Sequence, residues 1–220
     1  MVTTMMSVDC RQRSRFGVDL SLAERARRIR LLLTDCDGVL TDGTVYYSAE
    51  GEALKRFHMR DGMGVERLRT LVQVDVGIIT GEVSPSLRKR AAKLDIDELH
   101  LGVRDKRARL DQIAARRGLA LEQVAYIGDD VNDVAVLEAV GLAACPADAT
   151  PFAKATAHVV CRTRGGDGVL REVAELIIAA QAAPAANGRG RAVDLVPNQA
   201  PVRPALAHDR WRCYDERSEW

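Results

Sequence analysis

Residues 31–43 read Leu31-Leu32-Leu33-Thr34-Asp35-Cys36-Asp37-Gly38-Val39-Leu40-Thr41-Asp42-Gly43. The apolar start of this stretch has the length and continuous hydrophobicity of a strand that is buried on both faces. The strand would end at two aspartates, Asp35 and Asp37, at the position where open α/β sheets bind their ligands. Two carboxylates this close repel each other unless a divalent metal or a shared proton lies between them. The stretch therefore predicts a charged site at the carboxyl end of the first strand.

An Asp-x-Asp pair taken alone has plainer interpretations. Such acids are frequent in turns and at helix N-termini, where they bind backbone N–H groups. A calcium-binding loop would need an acid or Asn at its fifth position and Gly at its sixth. Counting from Asp35, those positions hold Val39 and Leu40, so a calcium loop is excluded. The choice between a turn and a functional site depends on the rest of the chain.

The composition excludes several classes of protein. The 220 residues are 47% hydrophobic, which suits one globular domain with a core of ordinary size. A net charge of +1 and only 4% aromatic residues argue against a nucleic-acid partner. No apolar run approaches the ~18 residues of a membrane span, and the first ten residues lack a secretion signal. The five cysteines lack metal-type spacing and indicate free thiols, so we expect a cytoplasmic protein without a membrane partner.

The periodicity of the chain predicts an α/β domain over residues 29–181. Residues 1–28 are polar and Arg-rich and are expected to be a loose extension, with a short helix capped by Ser21 and Glu24. Residues 182–220 are rich in Ala, Pro and Arg without periodicity, so a disordered tail is expected. Between them, strands alternate with helices, which is typical of a doubly wound, Rossmann-like parallel sheet. The predicted strands after the first are residues 75–79, 98–101, 124–127, 142–145 and 158–161. One predicted helix starts at Lys106 and stops at Gly118, and another runs from Asp133 to Val140.

Polar side chains lie at the ends of several predicted strands or at the starts of helices. They are Asp35 and Asp37 after the first strand, Thr80 after the second, Lys106 at a helix start, and Asp129, Asp130 and Asp133 after a later strand. Because successive parallel strands end at one edge of the sheet, these side chains can converge. Together they offer a carboxylate nucleophile, a metal cage, a hydroxyl and a fixed cation, which is the set that phosphoryl transfer requires.

This order of motifs resembles the phosphatases of the haloacid dehalogenase superfamily. The resemblance covers about residues 30–181. It rests on four motifs taken together, because each alone would be weak: residues 35–43, Ile79-Thr80-Gly81, Asp105-Lys106 and residues 128–133. The fold that it implies is the doubly wound sheet already predicted from the periodicity.

The resemblance also implies a role for each motif residue. Asp35 would be the nucleophile that forms an aspartyl-phosphate, and Asp37 would be the general acid and base. Asp35, the backbone carbonyl of Asp37 and the carboxylate of Asp129 would hold Mg²⁺ as the cofactor. Thr80 and Lys106 would bind the phosphoryl oxygens.

Several motif residues have a structural alternative. Asp130 would be a water-mediated metal ligand and Asp133 a more distant support, but both could instead cap a helix. Thr80 could be only a turn hydroxyl, and Lys106 could be a solvated helix lysine. Cys36 should point to the opposite side of the strand from the two acids, so we interpret it as a core residue and not as a second nucleophile.

The resemblance extends to a small capless branch of the superfamily. Residues 44–47 and 53–57 flank a Gly-containing turn and predict only a hairpin flap where larger members carry a cap domain. The flap, the Arg60-Asp61-Gly62 motif and residues 165–172 resemble the 3-deoxy-D-manno-octulosonate 8-phosphate phosphatases and the nonulosonate 9-phosphate phosphatases. In that family the hairpins pack together in a tetramer and a neighbouring subunit closes each site. We therefore expect a homotetramer, since a capless monomer would leave the aspartyl-phosphate open to water.

The choice of sugar acid depends on weaker signals. The substrate is anionic, so the site needs a cation besides the phosphate-binding lysine, and Arg60, Arg90 and Lys93 are the candidates. Glu82 stands where octulosonate phosphatases often carry Arg, which resembles the nonulosonate branch and the phosphatase-like domain of some acylneuraminate cytidylyltransferases. Asp167 stands where octulosonate phosphatases often have Arg and nonulosonate phosphatases Glu, which again argues against the octulosonate substrate. Alternatively, Arg90 and Lys93 belong only to the solvated face of a helix.

Other functions remain open. The chain could be a phosphatase of another small metabolite, a non-catalytic phosphate-responsive interaction protein, or a structural partner of a cytidylyltransferase. Asp37 argues against a stable phospho-acceptor, which needs no acid/base group two residues after the acceptor. A structural partner would not need all four motifs. We therefore predict a magnesium-dependent phosphatase of an eight- or nine-carbon 2-keto-3-deoxy sugar acid phosphate.

Overall fold

A computed structural model of the protein describes residues 21–183, so most of the expected N-terminal extension and nearly all of the expected C-terminal tail lie outside the described part. The strands of the described part are β1 (Leu31–Thr34), β2 (Tyr46–Ser48), β3 (Gly51–Leu54), β4 (Asp75–Ile79), β5 (Glu98–His100), β6 (Val124–Ile127), β7 (Leu142–Cys145) and β8 (Val159–Val160). The α-helices of the same part are α1 (Leu22–Arg28), α2 (Met59–Val72), α3 (Pro85–Lys93), α4 (Lys106–Arg117), α5 (Val134–Leu137), α6 (Pro151–Thr156) and α7 (Val169–Ala182). Within residues 21–183, no helix has both the length and the apolar character needed to cross a membrane.

Six of these strands form one parallel sheet in the order β5-β4-β1-β6-β7-β8. The central strand β1 pairs with β4 on one side and with β6 on the other, so that Leu32 is aligned with Val76 and Ala125. The strand order reverses direction at β1, which is the point where doubly wound sheets open a crevice for ligands. The predicted doubly wound parallel sheet is confirmed, and the carboxyl ends of β4, β1 and β6 lie side by side.

The central strand β1 begins with three leucines, because helices cover both of its faces. Leu32 lies on one face, in a core cluster with Leu68 of α2 and Ile177 of α7. Leu31 and Leu33 point the other way, into a cluster that includes residues of α4 and α5. All three leucines are 0% exposed. Because both faces of β1 are buried in this way, the strand has a defined position in the sheet. Asp35, the first residue after it, therefore lies at the carboxyl edge of the sheet.

The predicted hairpin flap is present as the antiparallel pair β2 and β3. Its strands are shorter than predicted, since β3 ends at Leu54 and the following residues leave the hairpin. Tyr46, Tyr47 and Leu54 are 58%, 73% and 64% exposed, so the flap presents apolar side chains to its surroundings. Lys55, which directly follows the flap, is buried instead, with a side chain that is only 1% exposed.

The folded domain includes residues 21–28, which corrects the boundary expected at residue 29. The predicted capping box of Ser21 and Glu24 is confirmed. The helix that it starts, α1, is not loose: Ala26 is 0% exposed, and the Arg27 side chain donates to the carbonyl of Ala180 in α7 at 3.0 Å. The small side chain of Ala26 is the buried residue of α1, and a periodicity over seven residues did not reveal this packing.

Two helices on the other side of the sheet also differ from expectation. The helix expected to run from Asp133 to Val140 is shorter, because α5 ends at Leu137. The six-residue helix α6 was not predicted, since a segment of that length shows no helical period. Its only sequence signal is Pro151 at its first turn, a position where proline is favoured.

Candidate active site

Side chains from the four motifs meet at one edge of the sheet. Asp35 follows β1, Thr80 follows β4 and Asp129 follows β6, and these three strands are neighbours. Lys106 is the first residue of α4, and its ammonium group lies 2.9 Å from a carboxylate oxygen of Asp35. Asp35, Thr80 and Lys106 are all buried. The predicted convergence of strand ends therefore produces a shielded, charged centre.

Asp35 has a fixed donor at each of its oxygens. Oδ1 accepts the backbone N–H of Cys36 at 2.7 Å, and Oδ2 lies 2.9 Å from Nζ of Lys106. Burial and the negative charge of Asp133 raise the pKa of Asp35 to about 7, although Lys106 opposes the shift. Cys36 is 0% exposed and packs in the core, which agrees with its interpretation as a core residue. The orientation of the Asp35 carboxylate is thus set by backbone and by a buried cation.

Asp133 is a fully buried carboxylate whose two oxygens are occupied. Oδ1 accepts hydrogen bonds from Nζ of Lys106 at 2.7 Å and from the hydroxyl of Tyr126 at 2.6 Å. Oδ2 accepts the backbone N–H groups of Asp129 at 3.0 Å and Asp130 at 3.4 Å. A carboxylate has about four lone-pair sites, so no site remains for an outside ligand. Asp133 instead positions Lys106 and the loop that carries the acids.

Three carboxylates form a compact acidic cluster that would suit a cation. Oxygens of Asp35, Asp129 and Asp133 lie within 4.8 Å of one another. Burial and the charges of Asp35 and Asp133 raise the pKa of Asp129 to about 7, and a divalent ion would relieve this repulsion. Gly38 makes the approach possible, because a Cβ at its position would lie 2.1 Å from Oδ2 of Asp129. Since the oxygens of Asp133 are occupied, Asp35 and Asp129 are the members of the cluster that can still bind a metal.

Asp37 is paired with a residue that the sequence did not single out. Nζ of Lys55 lies 2.6 and 2.7 Å from the two Asp37 oxygens, and the hydroxyl of Thr41 donates to Oδ1 at 3.3 Å. Burial lowers the pKa of Lys55, but the hydrogen bond and charge of Asp37 outweigh it and leave the pKa above its ordinary value. A lone lysine 18 residues after Asp37 carries no sequence signal, because the contact depends on how the flap folds back.

Thr80 and Asp130 make local hydrogen bonds of the kind found in turns. Oγ1 of Thr80 accepts the backbone N–H of Glu82 at 3.2 Å, and Oδ1 of Asp130 accepts the N–H of Val131 at 2.7 Å. Thr80 is the acceptor in this bond, so its hydroxyl still has a proton that it can donate to a ligand. Asp130 is exposed and caps the turn that follows it. The phosphate-binding role of Thr80 stays a prediction.

Comparison with a family model and with known proteins indicates the same family. Residues 97–173 match the family model of haloacid dehalogenase-like hydrolases. The 3-deoxy-D-manno-octulosonate 8-phosphate phosphatase of Yersinia pestis is 46% identical over 158 residues, which cover 72% of this chain and 84% of that protein. The chain belongs to the family of 3-deoxy-D-manno-octulosonate 8-phosphate phosphatases.

Solved structures of this family agree with the fold. The phosphatase of Moraxella catarrhalis in complex with magnesium ion, phosphate ion and KDO aligns with a TM-score of 0.71 at 33% identity, covering 73% of this chain and 91% of that chain. The cobalt-bound phosphatase of Haemophilus influenzae aligns with a TM-score of 0.69 at 39% identity, covering 71% and 91%. The predicted membership of the superfamily and of its small capless branch is confirmed.

The glycine motif at Gly165 and Gly166 holds the loop after β1 by backbone contact. A Cβ on Gly165 would lie 2.0 Å from the carbonyl oxygen of Gly38. Gly166 has a φ of +72°, and its N–H donates to the carbonyl of Val39 at 2.9 Å. The two glycines are needed because a side chain at either position would separate the two loops.

The Arg60-Asp61-Gly62 motif supports the start of α7, which directly follows the glycine motif. Helix α7 has Gly168 as its N-cap and therefore no side-chain cap of its own. Asp61 of α2 supplies one, since its Oδ1 accepts the backbone N–H of Arg171 at 3.1 Å. Asp61 is 4% exposed, and Oδ2 has no hydrogen-bond partner among the described residues. A buried carboxylate thus joins α2 to the start of α7, directly after the glycine motif.

The four residues predicted to bind the sugar acid differ in exposure. Arg60, Glu82 and Lys93 are exposed, and Lys93 is the last residue of α3. Arg90 is half-buried: its guanidinium donates to the carbonyl of His58 at 3.1 Å and stacks 5.9 Å from the centre of a phenylalanine ring. Arg90 therefore has a structural role within one chain. Recognition of the sugar by these four residues stays a prediction.

Proposed function

We propose that this chain hydrolyses 3-deoxy-D-manno-octulosonate 8-phosphate, with magnesium, through an aspartyl-phosphate on Asp35. The observation that carries the proposal is the placement of Asp35 between Lys106 and the Asp129 carboxylate at the sheet edge, within a chain of this phosphatase family. Phosphoryl transfer needs a placed nucleophile and neutralised charge more than covalent chemistry from the protein. The cluster offers both in a buried setting.

The residues present fit a magnesium ion. Asp35 and Asp129 would provide carboxylate ligands, and the backbone carbonyl of Asp37 would provide a third oxygen, which is the hard donor set that magnesium prefers. Magnesium ion bound there would neutralise charge on the phosphoryl group and relieve the repulsion between the acids. The Moraxella catarrhalis relative was crystallised with magnesium and phosphate, which supports the same choice of cofactor here.

The chain's own residues divide the reaction between them. The Asp35 carboxylate, held by Cys36 N–H and Lys106, attacks phosphorus, and the bond to the sugar oxygen breaks. Asp37 gives a proton to that leaving oxygen and afterwards takes one from the water that cleaves the aspartyl-phosphate. The ammonium group of Lys106 and the hydroxyl of Thr80 donate hydrogen bonds to the phosphoryl oxygens. Burial of Asp35 and Lys106 keeps bulk water from competing for these contacts.

The eight-carbon substrate is preferred over the nine-carbon one that Glu82 and Asp167 favoured. The curated relatives are octulosonate phosphatases, and this supports the eight-carbon substrate. Asp167 lies 3.3 Å from a guanidinium nitrogen of Arg56 on the surface, which gives that side chain a local partner. Glu82 is exposed. The relatives therefore outweigh the single-position signals of Glu82 and Asp167.

A substrate panel tests this proposal. The purified chain with magnesium would be assayed on octulosonate 8-phosphate, a nonulosonate 9-phosphate, unrelated sugar phosphates and p-nitrophenyl phosphate. We expect the highest kcat/KM on octulosonate 8-phosphate and no turnover by Asp35→Asn on any substrate. A higher kcat/KM on the nine-carbon acid would overturn the substrate, and full activity of Asp35→Asn would overturn the mechanism.

We also propose that the chain assembles as a homotetramer through its flaps. An isolated two-stranded ribbon is marginally stable in water, and this one exposes two tyrosines and a leucine. A neighbouring flap of the same sequence would cover these side chains. Light scattering of the purified protein tests the assembly, and a monomer with full activity would contradict it.

The cytoplasm is the compartment that we propose for the chain. Cys36, Cys145 and Cys161 are free and buried. Unpaired thiols persist in a reducing environment. Locating the tagged full-length protein by fractionation tests this, and recovery outside the cytoplasm would contradict it.

A further inference from the structure

The flap contacts the reacting centre through a chain of polar side chains that leads away from Asp37. Nζ of Lys55 bridges both oxygens of Asp37, and on its other side it lies 3.6 Å from Oε2 of Glu52. Oε1 of Glu52 in turn accepts the hydroxyl of Ser84 at 2.6 Å. Ser84 is 0% exposed and is the N-cap of α3, so this chain ends on a rigid element.

Asp37 needs such a support more than Asp35 does. Its side chain is 23% exposed, and its other hydrogen bond within the described residues is a 3.3 Å contact from Thr41 on the same loop. Transfer of a proton requires the acid to be within about 2.6–3.2 Å of the reacting oxygen. A displacement of about 1 Å can reduce the rate about 10²-fold. Donors at both oxygens remove the rotational freedom that one contact would leave.

We propose that Lys55 is a positioning residue, which fixes the Asp37 carboxylate for proton transfer and is itself held by Glu52 and Ser84. The proposal rests on the proposed function, because it gives the flap a part in the same reaction. It assigns no new chemistry to Lys55, which contacts Asp37 and not the reacting atoms. It predicts that damage to this chain appears in the steps that need a proton, and that formation of the aspartyl-phosphate from a good leaving group is spared.

The test uses Lys55→Met, which keeps the length of the side chain, and Lys55→Arg, which keeps the charge. A sugar alkoxide must be protonated as it leaves, whereas p-nitrophenolate leaves without help. For Lys55→Met we expect kcat on octulosonate 8-phosphate to fall about 10–100-fold. On p-nitrophenyl phosphate, the burst of nitrophenolate should keep its rate within about 3-fold, while the later turnover that needs Asp37 as base slows. Lys55→Arg should recover part of the loss.

Glu52 provides the second arm of the test. Glu52→Gln keeps an acceptor for Ser84 and removes the charge beside Lys55, so it should show the same selective loss to a smaller extent. If Glu52 acts through Lys55, the double variant should lose no more activity than Lys55→Met alone. Glu50→Gln is the matched control, because Glu50 is exposed on the flap and bonds only to Ser48 among the described residues.

Three outcomes would overturn the proposal: an unchanged kcat for Lys55→Met, an equal loss in the burst rate on both substrates, or additive losses in the double variant. If a lower melting temperature explains the lost activity of every variant, Lys55 has only a structural role. A wild type that does not hydrolyse octulosonate 8-phosphate is a separate result, which concerns the proposed function. If the wild type hydrolyses p-nitrophenyl phosphate but not octulosonate 8-phosphate, the burst and later turnover on the aryl substrate still decide the role of Lys55.

Discussion

Asp61→Asn should make the protein more stable at neutral pH, because Asp61 is a buried charge without full compensation. Burial raises the pKa of Asp61 from an ordinary 3.8 to about 6, although hydrogen bonding to Arg171 and the charges of His58 and Arg90 oppose the shift. The folded state therefore binds the proton more tightly than the unfolded state does. The ionised carboxylate therefore lowers the free energy of unfolding, and this loss is fully present above about pH 6.

The size of the effect follows from the same values. The gap between 3.8 and about 6 corresponds to roughly 3 kcal/mol of unfolding free energy that the ionised carboxylate removes at pH 7.5. Asn keeps the oxygen that accepts the N–H of Arg171 and removes the charge. Its amide nitrogen would occupy the place of Oδ2 and find no acceptor, which costs about 1–2 kcal/mol. We therefore expect a net gain of roughly 1–2 kcal/mol at pH 7.5.

Urea unfolding followed by far-ultraviolet circular dichroism measures this gain at fixed protein and magnesium concentrations. The advantage of Asp61→Asn over wild type should shrink by about 2 kcal/mol between pH 7.5 and pH 4.5, because Asp61 becomes neutral in the folded protein. Asp97→Asn, at an exposed aspartate, controls for the change in net charge and should show no such trend. A variant that is less stable at pH 7.5, or whose advantage does not depend on pH, would refute the reasoning.

Three further predictions concern the metal, the glycine motif and the flap. Asp129→Ala should raise the magnesium concentration for half-maximal activity at least about 10-fold, whereas Asp130→Ala, which loses a turn cap, should change it little. Gly165→Ala should lower the unfolding free energy by about 1–3 kcal/mol or more and reduce kcat, since its Cβ would meet backbone at 2.0 Å. Replacing Tyr46 and Tyr47 by Ser should shift the species seen by light scattering from tetramer to smaller forms.

Much of the fold could be predicted because the signals are local. The apolar run before Asp35 predicted a strand buried on both faces, and Leu31 to Leu33 pack in that way. The start of α1 at Ser21 and the end of α4 before Gly118 were visible because capping depends on residues at fixed short spacing. The convergence of the strand ends followed from the parallel order of the sheet.

The parts that were missed depend on contacts between distant segments. Lys55 reaches Asp37 only because the flap folds back over the first loop. The packing of α1 depends on hydrogen bonds such as that from Gln181 to Ile29 at 2.8 Å, across most of the chain. The four candidate sugar-binding residues stay a prediction, because single positions in a motif carry no information on whether their side chains face one place. Helix α6 was too short to show a period.

Asp35 and Asp37, the two aspartates that we propose as catalytic, are held by contacts of different kinds. Asp35 is held by a backbone N–H and a buried lysine that is itself fixed by Asp133, all within the rigid sheet edge. A nucleophile that must attack one phosphorus in line benefits from such rigidity. In the proposed mechanism, Asp37 gives a proton to a sugar oxygen and later takes one from water. The ion pair from Lys55, which follows the flap and is held by Glu52 and Ser84, would keep the Asp37 carboxylate in place for both steps. A capless enzyme would thus position its nucleophile from the sheet edge and its acid and base from the flap.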